Sequence, residues 1–330
     1  MLDVSLLRFG GGFVNFALAL ALGCNLATAQ PAYPAHPVRF VVGFGAGTPP
    51  DVATRIVAEK LSAIWGMTTI VENVVGASGN FAGERVARAR PDGYTLLVAP
   101  NSGILINPHL FRNMPFNPMR DLVPVSVIYS YPNVLIVNKE LGVESIEQLV
   151  TLARSKPGTL SYGSAGVGTT MHLAGEMLKS SAGIDIQHVP YRGGTNLFAD
   201  LLTARIHFSF APTTSTLGQA RAGAVNLLAV TSATRFALMA DLPTMKEAGF
   251  PDFDMSVWWG VLTPATTPPE VVAKLHRDLA AILALPDVRD RFADIGIEPV
   301  GNSPEEFYAM IKAEAPKWEK VIKEAKIGPE

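Results

Sequence analysis

The sequence predicts an α/β fold, because apolar strands, glycine-rich loops and helices follow one another along most of the chain. Val38–Val42 is a continuous apolar run, as in strands that are covered on both faces of a parallel sheet. A glycine-rich loop and a segment with apolar residues at helical spacing come after it. Because this order recurs, we expect a doubly wound sheet, in which functional loops lie at the carboxyl ends of the strands.

The remaining elements are predicted in order from periodicity, capping residues and turn signals. Thr48 and the paired prolines after it open the first helix, with Asp51 at the capping-box position, and this helix reaches Trp65. Further strands are expected at Thr69–Glu72, Tyr94–Ala99, Asp121–Tyr129, Asn133–Val137, up to Tyr162, and at Ile206–Phe210, Val225–Thr231 and Met255–Leu262. Further helices are expected up to Ala89, over Ser145–Arg154, from Thr169 or Thr170, and over Leu242–Ala248, Pro268–Leu285, Asp287–Asp294 and Pro304–Ala325.

Length and charge narrow the class of protein. The 330 residues are enough for two domains, and a hydrophobic fraction of 48% is ample for their cores. Charged residues make up only 17% of the chain and the net charge is -2. No basic field is therefore available for nucleic acid, and we expect no nucleic-acid partner.

The first 29 residues are typical of a cleaved signal peptide rather than of a folded domain. Arg8 gives a weakly basic start, Phe13–Leu22 is an apolar run too short to span a bilayer, and Ala27-Thr28-Ala29 is a cleavage signal. Lipoprotein processing at Cys24 is the alternative. Cleavage after Ala29 removes the single cysteine, so we expect an exported, periplasmic protein without disulfides.

The loop Gly163–Gly168 has the features of an anion receptor. It follows a strand that ends at Tyr162 and precedes a helix. We expect the amides of Ser164, Ala165, Gly166 and Gly168 to be free to converge on one point. The first turn of the helix adds unpaired amides and the positive end of its dipole.

Two other loops share this pattern. Gly43-Phe-Gly45-Ala-Gly47 follows the first strand, and Gly193-Gly194-Thr195 follows Ile186–Pro190. If two or three of these loops face one cleft, they can hold a small carboxylate without a charged side chain. A strand–loop–helix unit without a ligand is the simpler interpretation of any one loop alone.

Three other kinds of site are weaker. Thr48 replaces the third glycine of a dinucleotide-binding loop, so no nucleotide cofactor is expected. Ser164 lies in a sequence similar to a hydrolase nucleophile elbow, with His172, His188 and Asp200 as conceivable partners, but Tyr162 replaces its first glycine. The six histidines are scattered without metal-ligand spacing, so no metal is expected.

Across nearly all of the chain after residue 30, the sequence resembles the Bug-type extracytoplasmic solute receptors of tripartite tricarboxylate transporters. The order and spacing of the matching blocks are specific. These blocks are YPAHPVRFVVGFGAGTPPDVATRIVAEKL, VENVVGASGNFAGERVARARPDGYTLLVA, LSYGSAGVGTTMHLAGEML, VPYRGGTNLFADLL, LLAVTSATR, LPTMKEAGFPDFDMSVWWGVL and PVGNSPEEFYAMIKAEAPKWEKVIKEA.

The resemblance implies a two-lobed periplasmic-binding-protein fold of type II (Venus flytrap) and a monomer. Lobe 1 would comprise residues 31–130 plus 255–330, and lobe 2 residues 131–254, with the ligand between them. The family binds small carboxylates chiefly through backbone amides and waters. By position, the implied ligand-binding residues are Phe44, Ala46, Gly47, Asp51, Asn101, Ser102, Ser164, Ala165, Gly168, Thr169, Thr170, Gly193, Gly194 and Asp200.

The resemblance also implies a function. We expect the protein to capture a di- or tricarboxylate, an amino acid or an aromatic acid and to deliver it to membrane permease subunits. Presentation of the ligand to a membrane sensor kinase is an alternative, and an exported serine hydrolase a further one. The first loop departs from the family pattern, because Thr48 replaces a second glycine.

Overall fold

The computed structural model describes residues 33–191 and 194–328, with the side chain of Thr195 left out. The predicted signal peptide, Cys24 and Gly193 lie outside the described residues. The described residues from His36 onwards form one compact unit. No helix within the described ranges has the length and apolar content needed to cross a membrane.

Within the described residues, ten strands form one mixed sheet with the path β2-β1-β3-β9-β4-β7-β5-β6. Strands β2, β1 and β3 are parallel at one end, and β7, β5 and β6 are parallel at the other. The antiparallel strands β9 and β4 join the two ends. The bounds are β1 Val38–Val42, β2 Thr69–Asn73, β3 Thr95–Pro100, β4 Leu122–Asn138, β5 Ser161–Ser164, β6 Gln187–Pro190, β7 Phe208–Pro212, β8 Val225–Val230, β9 Ser256–Pro264 and β10 Glu298–Pro299.

Helices connect these strands. Residues Ser102–Ile106 form one turn of π-helix, which continues directly into α3. The α-helices of the described chain are α1 Pro49–Trp65, α2 Asn80–Ala87, α3 Asn107–Leu110, α4 Pro118–Asp121, α5 Ile146–Ser155, α6 Thr170–Ala182, α7 Gly194–Leu202, α8 Thr213–Arg221, α9 Pro269–Leu283, α10 Pro286–Asp294 and α11 Pro304–Glu324.

Strand β4 spans both parts of the sheet and changes its partners along its length. Residues 122–132 pair with β9, and residues 133–138 pair with β7 on one side and β8 on the other. The change falls between Pro132 and Asn133. One continuous strand therefore connects two groups of strands, and the largest cluster of buried side chains includes residues from both groups.

The structure confirms the α/β class but differs from the sequence prediction in detail. The two strands predicted at Asp121–Tyr129 and Asn133–Val137 are one strand, β4. The helix predicted at Leu242–Ala248 is only a turn, although Thr244 and Glu247 form reciprocal side-chain-to-backbone bonds like a capping box. The turn ends at Gly249, which has a φ of 95°, and the Phe250 amide closes it by donating to Met245 O at 3.0 Å.

Some short elements escape the sequence analysis. Helix α8 begins with Thr-Thr-Ser-Thr and offers few apolar positions from which a helical period could be recognised. Asp51 is in the first turn of α1 as expected, but Thr48 makes no side-chain capping bond there; its hydroxyl donates to Gly45 O at 2.6 Å.

Two neighbouring tryptophans on β9 offer a test of how α11 is attached. Because side chains alternate along a strand, Trp258 and Trp259 point to opposite faces. The Trp258 indole N–H donates to Glu314 on α11 at 3.0 Å, and that of Trp318 donates to the same carboxylate at 3.1 Å. Burial raises the pKa of Glu314. The two indole donors act in the opposite direction, because their hydrogen bonds stabilise the charged form of the carboxylate.

We predict that Trp258→Phe lowers the free energy of unfolding by about 1–3 kcal/mol more than Trp259→Phe. Both variants lose similar ring volume, but only Trp258 loses a hydrogen bond to a buried carboxylate. The Trp259 indole nitrogen has no partner among the described residues. Urea unfolding at pH 7 measures the difference, and equal destabilisation would show that the Glu314 bond contributes nothing.

Candidate functional site

A cavity of ≈ 500 Å³ lies where β4 changes its partners. Its floor is formed by β4 and β9, and loops from the two parts of the sheet form its walls. None of the described lining residues is charged at neutral pH. They are Phe44, Ser78, Pro100, Ser102, Asn107, Leu110, Phe111, Tyr131, Asn133, Ala165, Val167, Gly168, Thr169, Thr170, Met171, Pro212, Val257, Trp259, Ile327 and Gly328.

The start of α6 contributes one wall. Thr169 is the N-cap: its hydroxyl accepts from His172 N at 3.3 Å and donates to Gly166 O at 2.7 Å. The amides of Thr170 and Met171, in the first turn, have no intrahelical carbonyl partner. With the positive end of the dipole of this 13-residue helix, they make the wall favourable for an anion.

The glycine loop before α6 is more internally bonded than the sequence prediction supposes. The Gly166 amide donates to Ser164 Oγ at 3.2 Å, and the Gly168 amide donates to His172 Nδ1 at 3.1 Å. The expectation that both amides are free is therefore wrong. The loop therefore borders the cavity without offering these two amides to a ligand. The donors that remain for an anion are the amides in the first turn of α6.

Ser164 lies beneath this loop. It is fully buried, and its hydroxyl is 2.7 Å from His188 Nε2 and 3.0 Å from Gly166 O. It does not belong to the cavity lining, whereas Ala165, Gly168, Thr169 and Thr170 do. The Ser164 hydroxyl thus stabilises the conformation of the loop and does not contact the cavity.

Asn133 places an unsatisfied polar group beside the start of α6. The residue is 1% exposed and lines the cavity. Its Nδ2 donates to the Thr170 hydroxyl at 3.2 Å, and its backbone amide donates to Thr231 Oγ1 at 3.0 Å. Its Oδ1 has no partner among the described residues, and leaving such an atom buried and unpaired is costly.

Aromatic rings form much of the floor and one side. Phe44 contacts Trp259 edge-on with a centroid distance of 5.1 Å. Tyr129 stacks on Trp259 at 6.0 Å and on Tyr131 at 6.2 Å. This part of the cavity suits an apolar or planar group.

The predicted residues of the first part of the sheet divide into lining and supporting positions. Phe44 and Ser102 line the cavity. Asn101 is fully buried; its Nδ2 donates to Ser256 O and its Oδ1 accepts from Ser102 N, both at 3.0 Å. It therefore ties the end of β3 to the start of β9 and holds Ser102 in place.

Asp51 supports the first glycine loop. Its carboxylate accepts from the Gly47 amide at 2.9 Å, from Arg55 Nε at 3.0 Å and from Asn73 Nδ2 at 2.9 Å. Burial alone would raise the pKa of Asp51, but the hydrogen bonds from Arg55, Gly47 and Asn73 lower it below its usual value. Ala46 and Gly47 are exposed and, like Asp51, lie outside the lining.

Among the residues predicted in and after the third loop, Gly194 and Asp200 are described, and neither belongs to the cavity lining. Gly194 begins α7, and Asp200 on this helix accepts from the Tyr191 hydroxyl at 2.8 Å and pairs with Arg205 at 3.1 Å. Gly193 lies outside the described residues.

Sequence reasoning did not find the floor residues Tyr131 and Asn133 or the wall residues Asn107 and Leu110. A polar Asn directly after Pro132, inside an apolar strand, was the available signal for Asn133. The alternation of β9 places Trp259 in the lining and Trp258 against α11.

Together, the mixed sheet and a neutral cleft between its two parts define a periplasmic solute-binding protein. Comparison with known proteins agrees. The sequence model described as "Tripartite tricarboxylate transporter family receptor" matches residues 53–327. The chain belongs to this family of solute receptors, which is not a family of enzymes.

Individual relatives support this assignment. The chain is 31% identical to Protein BugT of Bordetella pertussis, covering 93% of this chain and 97% of that protein. The solved structure of R. palustris Rpa4515 with adipate shares 36% identity, covers 90% of this chain and 100% of its own, and superposes with a TM-score of 0.80. MatC (Rpa3494) from Rhodopseudomonas palustris with bound malate shares 27% identity over 88% of this chain and 100% of its own, with a TM-score of 0.74.

We predict that Gly168→Ala strongly disturbs the loop. Gly168 has a φ of 75°, which disfavours side chains, and a Cβ there would overlap Leu110 Cδ1 from the opposite wall. We expect a loss of about 2–4 kcal/mol of unfolding free energy, from backbone strain and overlap together.

Gly166→Ala is the matched control, because Gly166 also has positive φ, of 139°, but its Cβ would meet no atom closer than 3.8 Å. Adding Leu110→Ala should rescue Gly168→Ala in part and leave Gly166→Ala without rescue. Thermal unfolding of the four variants measures this, and the absence of any coupling between 110 and 168 would contradict the contact across the cavity.

Proposed function

We propose that this protein is an exported receptor that captures a small carboxylate between two lobes and delivers it to the permease subunits of a tripartite tricarboxylate transporter. Lobe 1 comprises residues 31–130 plus 255–330, and lobe 2 residues 131–254. The partner change in β4, between Pro132 and Asn133, lies two residues from the boundary at 130/131 and supports a division in this part of the strand. The acid lies in the cavity at this boundary.

The observation that carries the proposal is a neutral cavity next to the start of a long helix. The free amides of Thr170 and Met171 lie at this wall together with the Asn133 side chain, whose Nδ2 donates to the Thr170 hydroxyl and whose Oδ1 is unpaired. The two ends of an Asn side chain can exchange places, so the group can donate to a carboxylate while the Thr170 hydroxyl donates in return. Each such hydrogen bond to a charged group contributes about 1.5–3 kcal/mol.

The aromatic side of the cavity holds the body of the acid. Phe44, Tyr131 and Trp259 provide apolar surface facing the polar start of α6. The two relatives with bound adipate and malate support carboxylates as the ligand class. Di- and tricarboxylates, amino acids and aromatic acids all combine a carboxylate with a body of suitable size.

Capture is coupled to closure of the two lobes. Gly168 of lobe 2 contacts Leu110 of lobe 1 at the rim of the cavity. A ligand that touches both walls stabilises the closed state by the difference between its contacts in the closed and open states. The closed form is then the one that the permease recognises.

We predict that the protein lacking residues 1–29 is stabilised by carboxylic acids in a thermal-shift panel of adipate, malate, citrate, glutamate and benzoate. Calorimetry of the best acid should give micromolar or tighter binding. The diamide of adipic acid is the control, since it keeps the size of adipate but removes its charge. Stabilisation by the diamide alone, or by none of the acids, would overturn the proposed ligand class.

We predict that Asn133→Asp weakens binding of the best acid by about 100-fold, which corresponds to about 3 kcal/mol. The new carboxylate has the same shape but repels the ligand and cannot donate to it. Asn226→Asp is the matched control, because Asn226 on β8 bonds to Val143 O and lies outside the lining. Calorimetry measures both variants, and equal affinities for Asn133→Asp and wild type would exclude this wall as the carboxylate site.

A further inference from the structure

Two histidines, the buried His172 and the half-buried His188, lie directly beneath the glycine loop that lines the cavity. His172, in the first turn of α6, is 6% exposed, and its Nδ1 accepts from the Gly168 amide at 3.1 Å. His188, on β6, stacks on His172 with a centroid distance of 3.8 Å and an interplanar angle of 13°. Neither ring is part of the cavity lining.

The two rings hold the loop at two points. His172 fixes Gly168 through its amide. His188 Nε2 lies 2.7 Å from Ser164 Oγ, and this hydroxyl also accepts from the Gly166 amide at 3.2 Å. The conformation of the loop thus depends on the histidine pair at Gly166 and Gly168. The amides of these two glycines are the ones that are not available to the cavity.

The held part of the loop is the part that meets the opposite wall. A Cβ on Gly168 would overlap Leu110 Cδ1, so the backbone of the loop lies against α3. Thr169 follows immediately and caps α6. A shift of Gly168 would therefore alter both the contact across the cavity and the position of the amides at the start of α6.

We propose that His172 is a positioning residue for solute capture, which in its neutral form, stacked on His188, fixes Gly168 in the binding conformation and releases it on protonation. This inference rests on the proposed function only for its effect on affinity. The positioning of Gly168 itself does not depend on which solute is bound.

The hydrogen-bond pattern requires neutral His172. Nδ1 accepts from an amide N–H, so the single ring proton of the neutral form lies on Nε2. A second proton would have to occupy Nδ1, where it would face the Gly168 N–H. Two donors at 3.1 Å cannot bond, and the loop would have to move.

The surroundings favour this neutral form at ordinary pH. Burial lowers the pKa of His172 to about 4. Burial, and then the neighbouring His172, lower the pKa of His188 to about 4, while Glu176 acts in the opposite direction. Because the pKa values lie below those of exposed histidine, the folded loop loses stability as pH falls from about 6.5 towards about 4.

The other titratable groups around the pair belong to several elements. From β5, the Tyr162 hydroxyl donates to Glu176 of α6 at 2.7 Å, and its ring stacks on His188 at 5.0 Å. On α3, His109 adjoins Leu110. Glu176 also lines a groove between α6 and α11. The other charged residues of this groove are Lys179, Asp252, Lys317, Lys320 and Glu324. Among these described groups, Glu176 is the charged one connected to the stacked rings, through Tyr162, and its charge raises the pKa of His188.

The first experiment needs no ligand. The Gly168 amide is followed by NMR in ¹⁵N-glycine-labelled protein between pH 7.5 and 3.5, a range that includes the pKa of about 4 of His172. In the wild type its signal should shift with His172 protonation, and its hydrogen exchange, corrected for the intrinsic pH effect, should become less protected at low pH. His172→Asn retains an acceptor oxygen near the Nδ1 position but cannot be protonated, so protection should persist over the whole range.

The second experiment measures calorimetric affinity for adipate over the same pH range. The titration of adipate itself is the same for all variants. A difference from wild type in the pH dependence of the affinity therefore comes from the protein. We expect His172→Asn to bind within about threefold of wild type at pH 7.5 and to lose less affinity at pH 3.5, by about fourfold, because a ring with a pKa of about 4 has to release its proton for binding. His172→Leu, without an acceptor, should weaken binding at every pH.

His207→Asn is the matched control. His207 Nδ1 also accepts from a backbone amide, that of Ser161 at 3.0 Å, but far from the loop tip. This variant should retain the wild-type pH profile. The inference is overturned if His172→Leu leaves the Gly168 amide unchanged, or if His207→Asn and His172→Asn alter the profile equally. If no acid in the panel binds, the proposed function fails while the NMR result still decides the role of His172.

Discussion

The change of partners along β4 is the constraint on which the rest of the structure depends. Residues up to Pro132 are bonded to β9, and residues from Asn133 are bonded to β7 and β8. Backbone hydrogen bonds on both sides of this point fix the orientation of Tyr131 and Asn133. The cleft between the two parts of the sheet therefore has a rigid floor, and only its walls are built from loops.

The cavity can hold an anion although none of its described lining side chains is charged. A buried ion pair needs excellent geometry to offset the cost of desolvating both charges. Here the start of α6 supplies partial charge that is already fixed by the helix, so no side chain has to lose water or freedom when an anion binds. The neutral lining also avoids a strongly held counter-ion, which suits a receptor that must release its solute.

The sequence was informative where local chemistry decides the structure. Glycine spacing and helix-start signals located the loop before α6 and its N-cap Thr169, because both depend on neighbours within a few residues. They could not show that His172 takes up the Gly168 amide, since that bond depends on how the loop folds back on its own helix. Asp51 in α1 likewise accepts a hydrogen bond from Asn73 on β2. Its supporting role is therefore visible only in three dimensions.

Residues contributed by the sheet were the hardest to foresee. Tyr131 and Pro132 separate two apolar runs, and this favoured two strands where the structure has one. Which residues face the cleft then depends on the register between β4 and β9, where Tyr131 lies opposite Val257. Register is a long-range property that no local pattern in this segment determines.

The opposed orientations of Trp258 and Trp259 give the molecule an intrinsic optical signal. The indole of Trp259 borders the cavity and stacks on Tyr129, whereas that of Trp258 is bonded to Glu314 behind the sheet. An occupant of the cavity changes the polarity around the first ring and leaves the second unaltered. Emission from unlabelled protein therefore contains a component that follows occupancy above a constant background.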